Sequence, residues 1–228
     1  MTAGGPILAI DTATTRAVIA LGTADGTLLE ARAWTAGYRH GEELLARVEA
    51  LLRDRAVKPA DLGCIVVGTG PGAFTGLRVG IATAKGLAHA LALPIVGVAT
   101  GTALLDAAAR ATGEASLVLL QPAGQADRVV TTASEPPRIL PGGMEPELAG
   151  GERLVAVDLA GRAPDEAIAL GDAAHAGLAA ALVAAGAARL AAGDADDLAR
   201  LVPEYVTLPR GVRERLPDEA VEVTGGTP

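Results

Sequence analysis

Aromatic side chains are almost absent from this 228-residue chain; Trp34, Tyr38, Phe74 and Tyr205 are the whole set. Four rings make no base-stacking platform for single-stranded nucleic acid, and the core has to be assembled from Ala, Val, Leu and Ile. Cys64 is the one cysteine, so no internal disulfide can form, which fits a reducing cytosol. Positive charge is in deficit. Lys and Arg number 19 against 27 Asp and Glu, a formal net charge of −8. Affinity for a phosphate backbone comes from Lys and Arg, so the chain is a poor direct binder of nucleic acid. The opening segment MTAGGPILAID has no basic stretch and no long apolar run, so no signal peptide is expected. No uninterrupted apolar run approaches the ~20 residues of a membrane span.

Apolar residues make up 50% of the chain, enough for a sizeable core. The length suits one large domain or two small ones. ILAID (Ile7 to Asp11) and AVIALGT (Ala17 to Thr23) read as strands, and Asp25-Gly26 is a hairpin turn signal before a third strand, Thr27 to Trp34. EELLARVEALLRD (Glu42 to Asp54) aligns Leu44, Leu45, Val48, Leu51 and Leu52 on one stripe, an amphipathic helix. CIVVG (Cys64 to Gly68) is a buried strand, followed by a glycine loop and a helix over Gly76 to Ala92. IVGV (Ile95 to Val98) and a helix over Thr102 to Ala111 follow. A hairpin sheet followed by βα crossovers predicts a mixed sheet covered by helices. In the second half, Ser116 to Gln121 and Asp127 to Thr132 read as a hairpin, and residues 134–152 as a loop. Arg153 to Asp158 and Ala167 to Gly171 read as short strands, Ala173 to Gly186 as a helix, and ADDLARLVPEYV as carrying a short helix. The expected division is 1–112, 113–208 and a flexible tail over 209–228, with the boundary near Arg110 to Ala115.

The stretch GTGPGAFTGLRVGIATAKGLA (Gly68 to Ala88) looks like a phosphate-cradling loop running into a helix. A Walker A loop needs Lys directly after its closing Gly, but Leu77 follows Gly76 and Ala73 follows Gly72. Gly68, Gly70 and Ala73 fit GxGxxA, yet no Asp or Glu lies between Asp61 and Asp106 to hold a ribose. An actin-like or sugar-kinase ATPase opens on a turn reading roughly Asp-x-Gly-Thr. Here Asp11, Thr12 and Thr14 remain and Ala13 replaces the Gly, so these are vestigial nucleotide-loop positions. The matching second turn, Gln121 to Gly124, has no acid. Asp11 is expected to cap its own turn.

On the helix after the loop, Gly76, Gly80, Ala84, Ala88 and Ala92 form an i, i+4 row of small residues. Such a row admits close approach of another element. It faces either the chain's own sheet or a partner's helix. Arg78 and Lys85 share a face, either as solvated surface or as a dock for an acidic partner surface. Cys64, between apolar neighbours, reads as a buried inert thiol.

ILAIDTAT, YRHGEELL, the Gly68 to Ala88 run and LPIVGV, in this order and spacing, resemble the TsaB (YeaZ) family over about residues 6–105. That resemblance implies an α/β, actin-like and ribonuclease H-like (ASKHA) fold of two subdomains, each a mixed sheet flanked by helices. It implies a non-catalytic, cytoplasmic subunit without cofactor or metal. Such a subunit partners TsaD, with the small ATPase TsaE, in making threonylcarbamoyladenosine on tRNA. Contact with tRNA would be indirect, no membrane is involved, and a homodimer could form through the same first-domain helices. The candidate partner surface is Leu44, Leu45, Val48 and Leu52 on one helix with Gly72, Phe74, Thr75, Gly76, Arg78, Gly80, Ala84, Lys85 and Ala88 on loop and neighbour. The resemblance also places Thr100 and Leu104 where TsaD carries a His-x-x-x-His metal pair, and neither side chain replaces those ligands. His40, His89 and His175 show no ligand spacing. The second half departs from the family: PAGQADRVV (Pro122 to Val130) replaces its Asp-Ala-Arg run, and Tyr205-Val206-Thr207 its closing Tyr-x-Arg. The alternative is a small ATP-dependent phosphotransferase of the sugar-kinase type.

Overall fold

A computed structural model describes residues 4–35 and 40–206, without the side chains of 40–42. The expected tail over 209–228, Tyr38 and the His40 ring lie outside the described residues. The opening apolar runs alternate strictly between two faces, and that alternation builds the first sheet. β1 (Ile7–Asp11), β2 (Arg16–Gly22) and β3 (Leu28–Thr35) pair antiparallel. β4 (Cys64–Gly70) and β5 (Ile95–Ala99) then add in parallel, giving the order β3-β2-β1-β4-β5. Leu8, Ile10, Ile19, Leu21, Ile65 and Val67 form one face, packed under α1 (His40–Asp54) and α2 (Phe74–Leu91). Ile7, Ala9, Val18, Ala20, Val66 and Val96 form the other, against α3 (Thr100–Thr112) and α4 (Asp165–Ala191).

The second sheet repeats this plan in reduced form. β6 (Leu117–Ala123), β7 (Asp127–Thr131) and β8 (Arg138–Leu140) run antiparallel, and β9 (Arg153–Ala156) joins β6 in parallel. Leu117, Leu119 and Val155 turn toward α3 and α4. The α3–α4 pair therefore sits between the two sheets and is buried on both sides, which is why α4 is apolar all round. Two α4 glycines show how tight this layer is. A Cβ at Gly171 would meet the Ala156 carbonyl oxygen at 1.8 Å, and one at Gly186 would meet Val66 at 2.2 Å. Among the described residues α4 is the one helix long and apolar enough to cross a membrane, and the packing against both sheets accounts for that composition.

Three expectations need correction. Ala167 to Gly171 is not a strand but the start of α4, and β8 lies inside the loop expected over 134–152. No helix forms over ADDLARLVPEYV. That segment returns to the first sheet, where Asp196 bridges Ile95 and Leu198 and Leu201 pack on the α1–α2 side. By contact, residues 196–205 therefore belong to the first sheet's unit, although they lie within 113–208.

Candidate functional site

The β1–β2 turn, the glycine loop and the N-terminus of α2 converge at the C-terminal edge of the first sheet. Asp11 is fully buried; its Oδ1 accepts from the Ala13 N–H at 2.8 Å and its Oδ2 from the Thr100 hydroxyl at 2.7 Å. Thr100 Oγ1 in turn accepts from Gly70 N–H at 3.1 Å. Burial pushes the Asp11 carboxyl up to about 6, against the opposing pull of the Thr100 and Ala13 hydrogen bonds. Gly68 is required here, because a Cβ on it would lie 1.8 Å from Asp11 Oδ2. Asp11 thus ties its own turn to the loop and to the start of α3, as a turn-capping residue.

The glycine row of α2 grips the same turn. Thr12 donates its hydroxyl to the Gly76 carbonyl at 2.7 Å. Cβ atoms on Gly76 and Gly80 would meet the Thr12 backbone oxygen at 2.0 Å and its Oγ1 at 2.2 Å, and one on Gly72 would meet the Ala13 oxygen at 2.2 Å. Ala84 and Ala88 are buried in the sheet core. The row faces the protein's own β1–β2 turn and sheet, so Gly72, Gly76, Gly80, Ala84 and Ala88 are not a partner surface. Leu44, Val48 and Leu52 are likewise core residues at 5% exposure or less. Leu45 (52% exposed) and Thr75 are open to solvent, and Phe74 is half-buried.

Arg78 and Lys85 also have internal partners. The Lys85 ammonium donates to the Leu201 carbonyl at 3.1 Å, and Arg78 Nε donates to the Tyr205 hydroxyl at 3.1 Å. The Arg78 guanidinium lies 3.9 Å over the Phe74 ring, and that ring is 5.3 Å from Tyr205. Asp196 accepts from Gly97 N–H and Arg189, and the Glu204 N–H donates to the Thr69 carbonyl. The C-terminal segment is thereby strapped along α2.

A cavity of about 710 Å³ opens between the two sheet units, with Ala13, Thr15 and Gly72 to Phe74 on one side and Gln121 to Asp127 with Asp158 on the other. Its ionisable lining is Asp127 and Asp158, with no Lys or Arg among the lining residues. Two carboxylates without a cation repel a phosphate chain. Thr14 and Thr15 face the second unit: Thr14 Oγ1 lies 2.9 Å from His175 Nε2, and Thr15 N–H donates to Asp158 Oδ2 at 2.7 Å. Burial, and then the Arg16 charge, hold His175 below its ordinary value, so its ring is neutral. Thr100 is spent on Asp11 and Leu104 is wholly buried in the core. His89 is exposed on α2. Among the described residues no three His, Cys, Asp or Glu side chains cluster as metal ligands. Burial pushes the Cys64 thiol up to about 12, as an inert core residue requires.

The family model described as TsaD, tRNA N6-adenosine threonylcarbamoyltransferase, matches residues 35–158, more than half of the chain. The tRNA threonylcarbamoyladenosine biosynthesis protein TsaB of Escherichia coli is 38% identical over 107 residues, 47% of this chain and 46% of that protein. An uncharacterised protein of Mycobacterium tuberculosis is 44% identical over 93 residues, 40% and 44% of the two chains. The matched part thus spans less than half the length of these relatives. The solved structure of YeaZ from Pseudomonas aeruginosa superposes with a TM-score of 0.70 at 24% identity, covering 88% of this chain and 99% of that one. That likeness shows the fold.

Proposed function

The chain belongs to the TsaB/YeaZ family, and from that premise we propose that it is a non-catalytic subunit in the making of threonylcarbamoyladenosine on tRNA, binding and supporting a TsaD-type partner. The observation that carries the non-catalytic part is the closed turn. Thr12 and Ala13 are packed directly onto Gly72, Gly76 and Gly80, leaving no space at those positions for a phosphate. The neighbouring cavity offers carboxylates where a nucleotide needs cations. The sugar-kinase alternative loses its support for the same two reasons. A net charge of −8 fits a subunit that leaves tRNA to its partner.

The partner face in this reading is the outer side of α1 and α2. Ala82, Gly86 and Ala90 form an exposed row of small residues on α2, opposite the buried one, and a Cβ at Gly86 would meet nothing within 4 Å. Beside it an apolar groove of about 430 Å³ runs between the helices, walled by Leu45, Leu87 and Leu91 over a floor of the core residues Val48 and Leu52. Close approach along the small row with Leu45 at the rim suits an apolar helix pair of a TsaD-type subunit. A TsaE-type ATPase would join the assembled pair, and all three would work in the cytoplasm. Co-purification of the tagged chain with the TsaD of the same cell tests this reading. Recovery of a stoichiometric pair is expected; a chain that elutes alone or only as its own dimer contradicts it.

A further inference from the structure

Three consecutive residues, the last two of the β1–β2 turn and the first of β2, each reach out to α4 or to the loop after β9. Thr14 Oγ1 meets His175 Nε2 at 2.9 Å, and that nitrogen also lies 3.0 Å from the Arg16 carbonyl. Thr15 donates both its N–H, at 2.7 Å, and its hydroxyl to the two carboxylate oxygens of Asp158. The Arg16 guanidinium pairs with Asp172 at 2.8 Å. Asp158 follows the end of β9 with only Val157 between, and Asp172 and His175 lie on the N-terminal half of α4, which packs on β9 through Gly171 and Ala156. Asp158 belongs to the second sheet's unit and Asp172 and His175 to the part of α4 packed on β9, while Thr14, Thr15 and Arg16 belong to the first sheet's hairpin.

The middle link is the costly one to build. Asp158 sits at φ +59, in the left-handed region that side chains rarely adopt. Its own carbonyl accepts from Arg162, which fixes the turn that aims the carboxylate. Strained backbone of this kind persists where surrounding contacts over-determine it. Both ends of the link, Thr15 and Asp158, line the 710 Å³ cavity, so the link crosses the cleft and not a distant seam.

We propose that Thr14, Thr15 and Arg16 form a clasp with His175, Asp158 and Asp172 that holds the cleft between the two sheet units at one width. The Asp158 carboxylate is its central rung. The hinge opening and closing by which a two-unit cleft takes up and releases a ligand is then disabled in this chain. The clasp is independent of the partner reading above, because it rests on contacts within one chain.

Paired spin labels on cysteines introduced at Thr75 and Gln125, exposed on opposite sides of the cleft, test it, since Cys64 is buried and inert to labelling. The parent protein should give one narrow distance distribution. Asp158→Ala should broaden it or add a longer distance, with the Thr15 amide exchanging about ten- to a hundredfold faster and the Ile10 amide unchanged. Arg16→Met, which removes an exposed outer rung and leaves the core alone, should give a smaller change in the same direction. It serves as the test if Asp158→Ala does not fold. A distribution unchanged in the folded variants, or Thr15 exchange within twofold of the parent, overturns the clasp.

Discussion

Asp11 is the residue on which the turn depends, and its environment fixes how stability responds to pH. Its carboxyl titrates near the ordinary 3.8 when unfolded and near 6 when folded. Between those values the folded state holds more protons, so its contribution is full below pH 3.8, falls as pH rises, and is gone above 6. That shift corresponds to about 3 kcal/mol. Asp11→Asn keeps an acceptor for the Ala13 N–H and removes the charge. Denaturant unfolding of both proteins should therefore show the variant gaining about 3 kcal/mol on the parent across this range. A difference that does not move with pH contradicts the burial account. Asp11 and its turn were legible in the sequence because the capping role needs only local spacing. The Asp158 link to Thr15 was not, since 143 residues separate the two and neither sits in a motif.

The element that most separates one reading from another is α2, because its two small-residue rows face opposite ways. Spacing alone identified a row that admits close approach, but not what approaches it. The buried row takes the Thr12 turn, and the row Ala82, Gly86 and Ala90 is exposed, the face proposed above for a partner. Gly80→Ala should lower the melting temperature although Ala is the better helix former, since its Cβ would collide with Thr12; overpacking of this kind costs ~1–3 kcal/mol. Gly86→Ala, in open space, should raise stability by up to about 1 kcal/mol. Paired thermal melts decide it, and equal responses at the two positions would refute the assigned faces. The strands β1 to β5, the helices α1 to α3 and the β6–β7 hairpin were readable from alternation and helical stripes. α4 was half misread because five apolar residues at its start have no period to tell helix from strand. The C-terminal strap was misread because a helical pattern there is overridden by Lys85, Arg78 and Thr69 holding its backbone and Tyr205 extended on α2. Tyr205→Ala should loosen that strap, read as faster amide exchange at Glu204 with β1 unchanged. Unchanged exchange at Glu204 would mean that the ring does not hold it.

For the whole molecule, the cleft and the charge point the same way. Calorimetric titration with Mg-ATP should give negligible heat for the isolated chain, because the cavity presents Asp127 and Asp158 without a cation. Saturable micromolar binding would revive the phosphotransferase reading. The central claim is that the chain acts by docking a TsaD-type partner on its outer α1–α2 face. The direct measurement is the affinity of the same cell's TsaD for the parent and for Gly86→Leu, with melting temperature recorded on both. A leucine at Gly86 should hold the helices apart at a cost of ~1–3 kcal/mol, weakening association about tenfold to a hundredfold with little change in melting temperature. Full-strength binding by a folded Gly86→Leu variant would contradict the account.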